Sequence, residues 1–186
     1  MSKVKAVFLD RDGVINEYPG DSKYVTSWAD FHFLPGTEEA LKKLTGKGYR
    51  IFVISNQAGV SKGVYSKEAL DLITRNMLSE LDKHKVRISG VYYCIHKPED
   101  NCDCRKPKSG LVKMAAARLK NEGLDIESTA SFFIGDTIRD IETGKDAGLK
   151  TILVFSGKEK PENKDNWSTL PDFTARDLSE AADIVK

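Results

Sequence analysis

Five short apolar runs punctuate the chain, at residues 4–9, 51–54, 90–95, 131–134 and 151–155, and four of them give way directly to Gly, Asp or Ser, the third to His96. Runs of this length without polar alternation predict strands buried on both faces. Between them the spacing changes to a helical period. Helices are predicted over 37–47, over 66–84 with Leu70, Ile73, Met77 and Leu81 on one face, over 111–121 and over 138–147. Ser66 is placed to cap the second and Gly123 to stop the third. Residues 170–186 read as a last short strand and helix, and 158–166 as a polar, lysine-rich loop without extractable chemistry. The expected fold is α/β: a Rossmann-like, mostly parallel sheet with helices on both faces and ligands outside the carboxyl ends of its strands.

The length of 186 residues suits one domain spanning 1–186, and no internal repeat is found. Lys and Arg number 29 against 28 Asp and Glu, a net charge of +1, so no global field marks nucleic acid or an anionic membrane as a partner. No apolar stretch approaches the roughly 20 residues of a membrane span, and the expected address is the cytoplasm.

The motif FLDRDGVIN delivers Asp10 and Asp12 onto a turn at Gly13. An aspartate ending a strand can attack phosphorus, and one two residues on can handle a proton; acidic loops beside glycine also occur as calcium sites or solvated turns. After the second strand comes ISNQAGV. Ser55 and the N–H groups around Asn56, Gln57 and Gly59 can hold phosphate oxygens, or Ser55 and Asn56 can simply shape the turn. CRKPKSG supplies adjacent cations, Arg105 and Lys106. A buried lysine facing phosphorus would neutralise developing charge, whereas a basic pair on its own is commonly solvated surface. In FFIGDTIRDIETG, Asp136 and Asp140 stand one helical turn apart, suited either to magnesium or to an N-cap at Asp136 and a helix dipole at Asp140.

All three cysteines lie within eleven residues, and Cys94, His96, Cys102 and Cys104 make a CxHx5CxC pattern. Four such ligands fit a closed, structural zinc site in a small loop, 94–104. Singly, Cys94 would be a buried strand residue and His96 a surface one. Zinc here would anchor the loop leading into Arg105 and Lys106, which has little apolar content of its own. His32 and His84 are given structural roles only.

Taken in order, DRDG, the ISN serine, the RKP lysine and GDxxxD resemble the four motifs of the haloacid dehalogenase superfamily of phosphotransferases, over residues 8–148. FLDRDGVIN, YVTSWADFHFLPG, ISNQAGVSKG, GVYYC, CDCRKP and IGD further resemble the heptose 1,7-bisphosphate 7-phosphatases and their sister group, the histidinol-phosphate phosphatases. The resemblance implies that Asp10 becomes an aspartyl phosphate, that Asp12 is general acid and then base, and that Ser55 and Lys106 stabilise the transferring group. It implies magnesium on Asp10, the Asp12 main-chain carbonyl and Asp136, with Asp140 behind them, and zinc on the four Cys and His positions. Asn56, Gln57 and Arg105 would bind substrate. Two departures stand out: Ser55 where threonine is common, and Thr137 where several heptose enzymes have lysine.

The function expected is removal of the C7 phosphate of a heptose bisphosphate by a monomeric, magnesium-dependent enzyme acting on a small phosphorylated metabolite. Only eleven residues separate Asn16 from Trp28, too few for a large cap. Histidinol phosphate is the alternative substrate. A zinc-stabilised binding module would be expected to lack a nucleophile or metal carboxylate, and a polynucleotide end phosphatase to show a basic, aromatic-interleaved stripe.

Overall fold

The first apolar run divides at Lys5 rather than forming the single strand expected over 4–9. In the computed structural model, which describes Met1–Lys186, Ser2–Val4 (β1) turns aside to pair with Leu124–Ile126 in a separate two-stranded sheet, while Ala6–Leu9 (β2) enters the main one. Lys5 and the exposed β1 residues carry too much polarity for a sheet covered on both faces.

The chain continues through α1 (Thr37–Gly46), β3 (Arg50–Asn56), α2 (Lys67–Lys83), β4 (Ile88–Cys94) and α3 (Gly110–Asn121). It then forms β5 (Leu124–Ile126), β6 (Phe132–Gly135), α4 (Ile138–Asp146), β7 (Lys150–Val154), β8 (Phe173–Ala175) and α5 (Leu178–Ile184). The six-stranded sheet has the order β4-β3-β2-β6-β7-β8, with every neighbouring pair parallel. The predicted caps are present: Ser66 Oγ accepts from the Ala69 N–H at 3.2 Å, and Gly123 takes a positive φ of 79° just past α3.

Because strand side chains alternate, the buried strands feed two cores. Val7, Leu9, Ile51 and Val53 pack against α1, α2 and α5, whereas Ala6, Phe8, Phe52 and Ile54 pack against α3 on the other face. There Phe8 stacks between Phe52 and Phe133 with ring centroids 5.3 and 6.4 Å apart. Full burial of each such side chain is worth about 1.5–3 kcal/mol, which fixes the strand ends rigidly.

From β2 the chain winds outward through β3 to β4, then returns to the other side of β2 as β6 and winds outward again. The switch point lies between β2 and β6, and the crevice outside their carboxyl ends is where a doubly wound sheet binds ligand. Asp10 and Asp136 are the first residues past the ends of those two strands.

Candidate active site

Asp10 is fixed to the sheet by its N–H, which donates to the Ile134 carbonyl at 3.0 Å, so the nucleophile candidate is registered directly on β6. Its Oδ1 accepts from the Arg11 N–H at 2.7 Å, and its Oδ2 lies 2.7 Å from Lys106 Nζ. The same ammonium is 2.6 Å from Asp140 Oδ1 and donates to the Ile54 carbonyl at 3.1 Å. Asn56 secures Lys106 from the other side: its Oδ1 accepts the Lys106 N–H at 3.1 Å, and its Nδ2 donates to the Lys106 carbonyl at 3.2 Å.

Three carboxylates, from Asp10, Asp136 and Asp140, have oxygens within 4.8 Å of one another, and all three residues are buried. Burial pushes the carboxyl of Asp136 well above its usual range, and Asp10 and Asp140 push it further. Burial also raises Asp10, against the pull of Lys106 and with the help of Asp140. For Lys106 burial acts in the opposite sense but Asp10 and Asp140 prevail, holding its value above the ordinary one. One lysine therefore faces three acids in a dry site, a donor set of hard oxygens that fits a magnesium ion. The backbone makes room for the Asp136 carboxylate: a Cβ on Gly13 or on Gly157 would lie 2.3 or 2.0 Å from its Oδ2, and Gly13 has φ 83°.

Asp136 does not cap α4. Thr137 occupies that position, and its N–H and Oγ1 both donate to Asp140 Oδ2, at 3.0 and 2.7 Å. Asp136 instead accepts the Lys158 N–H at 2.8 Å. The 158–166 segment, expected to lack chemistry, thus begins at the metal candidate, and Lys158 lines the cleft.

Ser55, Asn56 and Arg105 line the cleft with Asp10, Asp12, Lys106 and Asp136, as expected. Gln57, expected at the substrate, does not: only 1% of it is exposed, and its amide nitrogen donates inward to Asp12 Oδ2 at 3.0 Å and Ser55 Oγ at 3.1 Å. The cleft holds about 390 Å³ and is roofed by the consecutive residues Tyr18 to Tyr24. Five cations, Lys23, Lys62, Arg105, Arg139 and Lys158, surround its mouth, and of these only Lys158 is ion-paired, to Asp21 at 2.7 Å. Arg139 and Lys158 carried no signal that reading along the chain could isolate, since only the fold brings them to the mouth.

Beside this cleft the sulfurs of Cys94, Cys102 and Cys104 and Nδ1 of His96 converge, with separations of 3.6 Å for Cys94–Cys102, 3.4 Å for Cys102–Cys104 and 3.2 Å for His96–Cys104. Four donors so spaced form a cluster able to hold a metal ion. Arg105 Nη1 donates to the His96 carbonyl at 3.2 Å, which ties the cluster to the mouth.

A parallel sheet whose switch point gathers paired aspartates, a hydroxyl, a buried lysine and a carboxylate metal set defines the phosphoryl-transfer class of α/β hydrolases. Comparison with known proteins agrees. Residues 103–181 match the HAD-hydrolase-like family model. A D-glycero-beta-D-manno-heptose-1,7-bisphosphate 7-phosphatase of Haemophilus ducreyi is 40% identical over 83% of this chain and 85% of its own. A D-glycero-alpha-D-manno-heptose-1,7-bisphosphate 7-phosphatase of Campylobacter jejuni is 36% identical over 85% of this chain and 86% of its own. The crystal structure of a D,D-heptose 1,7-bisphosphate phosphatase from B. bronchiseptica, complexed with magnesium and phosphate, superposes with a TM-score of 0.84 at 27% identity, covering 99% and 97% of the two chains. The chain belongs to the haloacid dehalogenase-like hydrolases, in the family of the heptose-bisphosphate 7-phosphatases.

Proposed function

We propose that this protein is a magnesium-dependent phosphatase that removes the C7 phosphate of a D-glycero-D-manno-heptose 1,7-bisphosphate. The observation that carries the reading is the meeting of Asp10, Asp12, Ser55, Lys106 and Asp136 in one cleft of small-molecule size. A carboxylate oxygen of Asp10 attacks phosphorus, the bond to the sugar oxygen breaks, and the Asp12 carboxyl gives that oxygen its proton. Water then attacks the aspartyl phosphate, Asp12 takes a proton from it, and the bond to Asp10 breaks to release inorganic phosphate. Lys106 and the Ser55 hydroxyl neutralise charge on the transferring oxygens. Asp10, the Asp12 main-chain carbonyl and Asp136 would hold magnesium, which would supply further charge neutralisation on the phosphoryl oxygens.

The mouth favours a bisphosphate over histidinol phosphate. Lys23, Lys62, Arg105 and Arg139, without carboxylate partners, suit a second phosphate, while an amino alcohol bearing an ammonium group meets like charge there. Arg139, one residue past Ile138 on α4, supplies a cation on the side where Thr137 replaces the lysine of several relatives. The Cys94, His96, Cys102 and Cys104 cluster takes zinc: tetrahedral Zn–S bonds of about 2.3 Å put neighbouring sulfurs about 3.8 Å apart, close to the separations seen. With all four positions filled by protein, the ion is structural, and it steadies the segment bearing Arg105 and Lys106. We assign the working form as a cytoplasmic monomer.

Phosphate release from both anomers of heptose 1,7-bisphosphate, histidinol phosphate and a DNA 3′-phosphate tests this, with Asp10→Asn as control. Release confined to a heptose bisphosphate and lost in the variant supports the assignment; preferential release from histidinol phosphate or DNA overturns the substrate.

A further inference from the structure

Asp12 is held more tightly than a side chain at a cleft wall requires. Its Oδ1 accepts from Arg11 Nε at 3.1 Å, Arg11 Nη2 at 2.9 Å and Asn16 Nδ2 at 2.9 Å, while its Oδ2 accepts from Arg11 Nη2 at 3.1 Å and Gln57 Nε2 at 3.0 Å. Two of the donors are themselves locked. Arg11 has no exposed surface, and its guanidinium lies 5.9 and 5.8 Å from the ring centres of Phe31 and Tyr93. Gln57 is fixed by the buried Tyr65, whose hydroxyl donates to Gln57 Oε1 at 2.5 Å. Because the Asp12 carboxylate can only accept, the amide nitrogen faces it, and Gln57 Oε1 is left to accept from Tyr65.

We infer that Gln57, braced by Tyr65, is a positioning residue for Asp12 and acts on proton transfer without touching substrate. The inference rests on the acid–base role of Asp12 proposed above. When Asp12 has passed its proton to the leaving oxygen it is an acceptor at both oxygens, and the clamp supplies donors aimed at that form, at the rotamer from which it next receives a proton from water.

The test exploits the leaving group. A sugar oxygen needs a proton to depart, whereas p-nitrophenolate leaves without one, and kcat/KM reports the step that forms the aspartyl phosphate for both substrates. With heptose 1,7-bisphosphate, Gln57→Leu is expected to lose about 10- to 100-fold in kcat/KM, chiefly through kcat, and Tyr65→Phe about three- to tenfold. With p-nitrophenyl phosphate, each variant is expected to stay within about threefold of the parent. Tyr65→Phe removes one oxygen and keeps the packing, so it decides the matter if Gln57→Leu does not fold. Equal losses on both substrates would mean simple structural support and overturn the proposal. A raised KM with kcat retained would make Gln57 a substrate contact and overturn it too. Asp12→Asn, run alongside, separates the premises: if it lowers both substrates equally, the acid–base reading itself falls and takes the proposal with it.

Discussion

Lys106 Nζ lies 2.7 Å from Asp10 Oδ2 and 2.6 Å from Asp140 Oδ1, and this one ammonium is the counterion to the buried carboxylates at the switch point. Removing one partner of a buried charge cluster costs about 3–5 kcal/mol. Lys106→Met is therefore expected to lower stability by about that amount in metal-free protein, with part of the loss recovered by magnesium, and to reduce kcat by about 10²- to 10³-fold or more. Chemical denaturation with and without magnesium, paired with phosphate-release kinetics, checks both.

Asp136 is raised by burial and then by Asp10 and Asp140, so in metal-free protein it opposes folding at neutral pH. Asp136→Asn is expected to raise the metal-free melting temperature, to abolish the upward shift that magnesium produces in the parent, and to remove activity. A magnesium titration followed by differential scanning calorimetry measures all but the last. An unchanged magnesium shift in the variant would move the metal away from Asp136.

Gly157 approaches Asp136 so closely that an added Cβ would sit 2.0 Å from its Oδ2. Gly157→Ala is expected to displace that carboxylate, leave the sheet intact and weaken magnesium activation by about tenfold or more, the scale seen when groups that orient metal ligands are lost. The magnesium concentration giving half-maximal activity is the quantity to measure.

Cys102 shares the four-ligand cluster whose far end holds Arg105 through the His96 carbonyl. Cys102→Ala, verified by elemental analysis to lack zinc, is expected to lower turnover and to increase proteolytic cleavage within 94–104. Full activity in zinc-free protein would remove the loop-anchoring role.

Arg139 stands exposed at the cleft mouth without a carboxylate partner. Arg139→Gln is expected to raise KM for a heptose 1,7-bisphosphate about three- to tenfold while leaving the constants for p-nitrophenyl phosphate, which lacks a second phosphate, nearly unchanged. A contact between an exposed cation and a phosphate is worth about 1 kcal/mol, which sets that range. Parallel loss on both substrates would place Arg139 elsewhere in the mechanism.

Much of this was legible along the chain because it is encoded locally. Apolar runs long enough for one buried strand, a helical period with Ser66 and Gly123 at its ends, and four soft ligands within eleven residues each follow from short-range chemistry. The order of the motifs placed Asp10, Ser55 and Asp136 at strand ends and Lys106 in a loop that follows one, and the parallel sheet then brings any such set to one edge. Three matters waited for tertiary structure. Gln57 follows Ser55 and Asn56 on what looks like a phosphate loop, yet its side chain turns beneath Asp12 rather than into the cleft, where Asp12 and Tyr65 both bond its amide. Lys158 and Arg139 reach the mouth only because β7 and α4 lie beside β6. The division of the first strand at Lys5 depends on a partner, β5, that is distant in sequence. Residue chemistry and local period specify which elements form and which groups can react; which way a side chain faces, and what it meets there, is set by neighbours that sequence distance conceals.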